Sequence, residues 1–131
     1  MKNLVNMSVV VAFLGVTILA STASAEIFEG TGFYEMQKSD SLDYAKEQAK
    51  LFAERRALEE AYVNIGGMTE SENGLIVIDE IIAESEGIIS VLETKYKIES
   101  GSSHDSFIIR AVVKVEIDLE NLRKYVKNQR Q

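Results

Sequence analysis

The chain has 131 residues, 46% of them hydrophobic, and no cysteine, proline or tryptophan, so it is sized for one domain whose single core must hold by packing without disulfides. Its 21 acidic residues against 14 basic ones give a net charge of −7, which argues against nucleic acid, where Lys and Arg must neutralise phosphates. With one histidine and no thiol, a histidine-rich metal site, thiolate metal binding and thiol catalysis are excluded within one chain.

Residues 1–25 have the organisation of a secretory signal peptide. Lys2 supplies the positive charge, Ser8 to Ala20 is an uncharged and mostly apolar run, and Ala23-Ser24-Ala25 presents a small-x-small cleavage signature. Cleavage there starts the mature protein at Glu26, leaves 106 residues and, by removing Lys2, takes the net charge to −8. The run falls short of the roughly 20 apolar residues of a membrane span. Because Met7 to Ala25 carries no charge, an uncleaved anchor is the alternative. No cysteine follows the run to carry a lipoprotein anchor. The expected location is periplasmic or extracellular.

Glu29-Gly30-Thr31-Gly32-Phe33-Tyr34 reads as an edge or bulged strand, its glycines permitting close backbone approach. Helical periodicity then runs from Leu42 to Ile65, with Asp40 or Ser41 as cap, Asp43 and Glu47 at the positive end of the dipole, and Gly66-Gly67 as the stop. Within it Ala45, Ala49, Ala53, Ala57 and Ala61 recur every four residues. At about 100° per residue this ridge drifts by about 40° per step, which a twisted sheet would follow. The alanines are therefore expected to form a close helix–sheet contact, with Leu42, Phe52, Leu58, Tyr62 and Ile65 filling its sides. Arg55–Glu59 and Arg56–Glu60 have the i, i+4 spacing of solvent-facing ion pairs.

Met68 to Ile78 predicts a further strand with Asn73-Gly74 as a turn or bulge, and Asp79 to Glu86 a short helix closed by Gly87. Leu92, Thr94, Tyr96 and Ile98 alternate with charged residues, as do Phe107, Ile109, Ala111, Val113, Val115 and Ile117 with more polar ones. These two half-buried strands are joined through Ser100 to Asp105 as an antiparallel hairpin. Asp118 caps a last helix from Leu119 to about Lys127, with Leu119, Leu122 and Val126 facing inward. The expected fold class is α+β: a long N-terminal helix packed on a small antiparallel sheet, with short second and C-terminal helices.

One combination of residues carries a family resemblance: Gly30-x-Gly32, the helix from Ala45-Lys46-x-x-Ala49 through Arg56-Ala57-x-x-x-Ala61, Ile81-x-Ala83-x-Ser85-x-Gly87, and a final strand through Val112 and Val115. It resembles the N-terminal domain of flagellar assembly protein T, whose family includes small exported bacterial lipoproteins. The similarity covers nearly all of Glu26 to Asp118. The resemblance implies an α+β domain with a long helix on an antiparallel sheet, an exported location, and a non-enzymatic part in envelope or flagellar assembly. Two features depart from the family pattern: the further domains of the flagellar protein are not in this sequence, and neither is the lipidated cysteine of the lipoproteins.

No catalytic, cofactor or metal residue stands out. His104, beside Asp105 in the hairpin loop, reads as solvated. Asp79, Glu80, Glu84 and Glu86 lack the alternating Asp/Asn and glycine spacing of a calcium loop and read as a solvated helix face. A carboxylate pair for glycoside hydrolysis is unmarked, and there is no tryptophan to stack on a sugar. The stretch 119–131 carries Arg123, Lys124, Lys127 and Arg130 against Glu120, a net +3 that leaves −11 on the rest of the mature chain. Basic residues late in a helix complement its dipole, each by about 0.3–1 kcal/mol. The alternative is an interaction tail that docks on an acidic patch of a neighbouring copy, or on anionic lipid or wall polymer at the membrane surface.

The favoured expectation is a non-enzymatic interaction or assembly protein of the cell envelope, whose partners are envelope or flagellar proteins or a second copy. A membrane contact is expected only through a retained signal segment. A small ligand-binding module is the alternative, and it requires an unfilled cavity between helix and sheet. The interaction protein instead requires an exposed apolar patch or an unprotected strand edge.

Overall fold

A computed structural model describes residues 25–67, 72–84 and 87–129, so residues 1–24, which include most of the expected signal segment, residues 68–71, Ser85, Glu86, Arg130 and Gln131 lie outside the described residues. Six elements follow in chain order: β1 (Ala25–Met36), α1 (Leu42–Asn64), α2 (Glu72–Glu84), β2 (Ile89–Ser100), β3 (Phe107–Asp118) and α3 (Leu119–Gln129). The three strands form one antiparallel sheet in the order β1-β3-β2, so the last strand in the chain is the central one. The α+β class is as expected, with one correction. The long helix is not N-terminal; it follows β1, because Gly30 and Gly32 already belong to a twelve-residue strand that must be laid down beneath it.

The alternation of β3 buries Ile109, Ala111, Val113, Val115 and Ile117 on one face. β1 pairs with it without interruption from Ala25 opposite Asp118 to Met36 opposite Phe107. α1 lies on that buried face. Ser41 caps it by accepting the Tyr44 N–H at 3.1 Å, and its turns end at Ile65, with Gly66 beyond at φ +91°, a left-handed conformation that glycine adopts at little cost. All five ridge alanines are fully buried. Opposite them the glycines of β1 leave room for backbone to meet backbone: a Cβ on Gly30 would run into Ala53 O and lie 2.7 Å from Ala57 N. One on Gly32 would collide with Ala49 O and Ala53 N. The ridge and the two glycines are one contact, and it leaves no room for a ligand between α1 and β1.

Two expectations fail here. Residues 72–78 are helical, not a strand, and belong to α2 together with Asp79 to Glu84; residues 68–71 of the expected strand lie outside the described residues. Gly74, Ile78 and Ile81 are buried at i, i+4 and i+7, the spacing of one helix face, so Asn73-Gly74 lies in the first turns of a helix and makes no hairpin. Leu92 is also misplaced. A bulge between Val91 and Glu93 lifts it out of register, and Val91 takes the place opposite Val115.

The far end of the core is closed by α2 and α3. Leu119, Leu122 and Val126 are buried there as expected, α3 is capped by Asp118 accepting the Asn121 N–H at 3.1 Å, and the Tyr125 hydroxyl donates to Glu80 at 3.2 Å. The described core contains no buried polar or charged residue.

Candidate functional site

The sheet has two free edges, and they differ. The β2 edge carries the bulge and the exposed side chains of Lys95 and Lys97, two devices that discourage pairing with a further strand. The β1 edge has no bulge, no lysine and no proline along its twelve residues. Among the described residues nothing pairs with its outer side.

A groove of about 540 Å³ runs along this edge, lined by Thr31, Gly32, Phe33, Phe52, Arg55, Arg56 and Glu59. Phe52 and Phe33 are about half exposed, at 45% and 50%. Phe33 lies on the open face of the sheet, where the Arg110 guanidinium of the neighbouring strand stacks on its ring with 4.8 Å to the centroid. Arg55 is held by Asp79 at 2.7 Å and by Glu59 at 3.4 Å. Arg56 projects further: its side chain is 71% exposed and, among the described residues, pairs with Glu59 at 3.7 Å. The i, i+4 pair expected for Arg55 is present, whereas Arg56 turns to Glu59 and not to Glu60. Phe52 and Leu42 do not fill the sides of the helix–sheet contact as expected: the backbones are too close to leave space for Phe52 there, and Leu42, in the first turn of α1, is exposed.

Beyond β3 a second surface is open. α1 lies over β1 and β3 and leaves the helix side of β2 uncovered, so Val91, Tyr96 and Ile98 are exposed at 39%, 40% and 53%. Lys46 sits over the Tyr96 ring at 5.4 Å, and partial burial together with Glu47 and Glu54 raises the Tyr96 phenol above its ordinary value.

Two polar clamps fasten the opposite end of the sheet. Glu35, at the end of β1, accepts from Ser102 N at 3.0 Å, Ser102 Oγ at 2.6 Å and Ser106 Oγ at 2.9 Å, and these bonds hold its carboxyl below the usual range. The Tyr34 hydroxyl donates to Asp40 at 2.8 Å. That bond first, with some burial and the charge of Asp40 behind it, pushes the phenol up to about 12. Asp40 also accepts the Gln37 N–H at 2.9 Å, so it fixes the turn into α1 although Ser41 is the cap.

The expected residues are dispersed. Ala45, Ala49, Ala53, Ala57 and Ala61 form the helix–sheet contact. Arg123, Lys124 and Lys127 are exposed on α3, Lys124 pairing with Glu120 at 3.6 Å, and Arg130 lies outside the described residues. His104 is exposed in the hairpin loop. Asp79 and Glu80 are engaged with Arg55 and Tyr125. Phe33, Phe52 and Arg56 were not expected to act together. Their only sequence signal is two bulky side chains beside a Gly-x-Gly strand and an alanine ridge. No family model, no curated protein and no solved structure matches the chain.

Proposed function

We propose that this is an exported, non-enzymatic interaction or assembly protein of the bacterial cell envelope, and that its likeness to the N-terminal domain of flagellar assembly protein T reflects a flagellum-associated role. The observation that carries the reading is the unguarded β1 edge with a groove of mixed aromatic and charged lining beside it, because a long unblocked strand edge is a template for another chain. The ligand-binding alternative is disfavoured by the contact of Gly30 and Gly32 with the alanine ridge, which occupies the space such a ligand would need. Export rests on the leader-like organisation of residues 1–25.

The test is to tag the full-length protein at its C-terminus, cross-link it in intact cells of its native bacterium, and identify the captured proteins by mass spectrometry after cell fractionation. Recovery from the envelope fraction with basal-body components supports the flagellar role. Recovery there with other envelope proteins supports the assembly role alone. A cytosolic protein that captures no envelope component overturns the reading.

A further inference from the structure

The last helix keeps its cations on one side. At about 100° per residue, Leu119, Leu122 and Val126 define the side of α3 that enters the core, and Arg123, Lys124 and Lys127 share one arc of roughly 100° beside it. All three are exposed. Tyr125, whose hydroxyl reaches Glu80 of α2, lies on the opposite flank, so the cations face away from the acidic helix next to them. Glu120 is the single acidic residue of α3, and Lys124 meets it at 3.6 Å with side chains 68% and 64% exposed. Among the described residues, no carboxylate pairs with Arg123 or Lys127. The helix dipole accounts for basic residues late in a helix but is indifferent to the flank they take. A role within the fold would turn them to the acids of α2.

The stripe also has a fixed place relative to the N-terminal segment. Ala25 pairs with Asp118, the residue before α3, so the chain enters the fold at the root of this helix. With a rise of about 1.5 Å per residue, Arg123 to Lys127 lie roughly 8–14 Å along the axis from that point. Met7 to Ala25, which leads in, is a run of 19 residues without a charge, close to the roughly 20 of a bilayer span. When that segment is held in a membrane, Ala25 is at the lipid surface and the stripe is within reach of the headgroups. An anionic leaflet repels the −11 carried by the rest of the mature chain and attracts α3.

We infer that the Arg123, Lys124 and Lys127 stripe of α3 docks on anionic lipid headgroups of the membrane that the N-terminal segment enters. This rests on the envelope reading above, with the N-terminal segment retained, and adds an electrostatic contact to the apolar one. Three basic side chains at an anionic leaflet favour the docked orientation by roughly a hundredfold. The segment that holds the chain at the surface makes this second contact intramolecular, so a stripe too weak to recruit the protein from solution suffices to orient it.

The chain has no cysteine, so Asn128→Cys, exposed and one helical turn from Lys124, takes a single bimane label and leaves every charge in place. The labelled full chain is reconstituted into vesicles of phosphatidylcholine alone and of phosphatidylcholine with one quarter phosphatidylglycerol. Bimane emission is expected to shift to the blue only with phosphatidylglycerol, and the shift should disappear in high salt. It should also be absent when Arg123→Gln, Lys124→Gln and Lys127→Gln are combined, and retained in Arg123→Lys, which keeps the charge. Both variants should melt like the parent, because the altered residues are exposed. Equal emission in the two vesicles, a shift that survives the triple replacement, or failure of the chain to float with either vesicle overturns the inference. A shift in detergent solution that grows with protein concentration overturns it too, since the occupant is then the acidic surface of a second copy. Capture of envelope proteins in cells, together with a label indifferent to phosphatidylglycerol, would sustain the envelope reading and remove only the headgroup contact.

Discussion

The two edges of one three-stranded sheet show two ways of ending a sheet. β2 ends it by making itself a poor template: a bulge breaks the flat edge, Lys95 and Lys97 line it, and its apolar side chains are left partly in water without a helix above. β1 ends it by position, with glycine where other strands carry bulk and a helix set directly on the backbone. A bulged, charged edge repels every strand alike. The difference teaches that exposure alone is a poor guide to docking: β2 displays more apolar surface, and β1 has the better defined place for a partner.

The comparison breaks first at the glycines. Gly32→Ala places a methyl against Ala49 O and Ala53 N, where no flexible side chain can yield, and is expected to cost about 3 kcal/mol, the upper end of typical overpacking effects. A chemical-denaturation midpoint equal to that of the parent would show that α1 does not rest on β1. Ala53→Leu attacks the same contact from the helix and should cost about 1–3 kcal/mol, while Glu54→Gln on the same turn stays near zero. Equal and negligible shifts for those two would remove the ridge from the account.

Acid comes next. Glu35 has a lowered carboxyl pKa in the folded state, so the stability it contributes is present above the ordinary value of 4.5 and is lost as pH falls through the lower folded value. Glu54, raised by burial, has the opposite sign, its contribution falling as pH rises through its folded value. Denaturation midpoints followed from pH 6 to pH 2 should therefore fall less steeply in Glu35→Gln than in the parent, and more steeply in Glu54→Gln. Identical slopes in all three proteins would show that the Ser102 and Ser106 bonds do not hold the carboxylate in solution.

The smallest effects belong to β2. Ile98→Thr removes an apolar side chain that is 53% exposed and should move stability by no more than about 0.5 kcal/mol. Replacing Lys95 and Lys97 together by Thr should likewise spare stability yet promote association, seen as a concentration-dependent mass in light scattering. A variant that stays monomeric at every concentration would show that the bulge guards this edge unaided.

Much of this architecture was legible where one residue type repeats. Alanine every four residues announced α1 and its buried face, and strict alternation announced β3 and most of β2. Legibility failed where a local preference and the tertiary context disagree. Ile76, Val77 and Ile78 favour strands one by one, and Asn73-Gly74 favours a turn, but Gly74, Ile78 and Ile81 share a buried helix face in the helix that packs against α1. The bulge at Leu92 could not be read, because apolar residues at both Val91 and Leu92 satisfy alternation in either register. The groove was hidden for another reason. Phe33, Phe52 and Arg56 become one surface only once β1 is an edge and α1 sits over it, and strand order has no local signature.

That strand order has a consequence in time. The central strand is made last, and each residue from Ala25 to Met36 must wait for a partner between Phe107 and Asp118. At a synthesis rate of about 5–20 residues per second, β1 leaves the ribosome several seconds before the strand that will hold it. α1 follows at once and can settle on its glycines, but until β3 arrives both sides of β1 are open. For that interval the nascent chain leaves both edges of β1 unpaired, and any chaperone or transport factor that grips extended apolar segments would meet Ile27, Phe28 and Phe33 first.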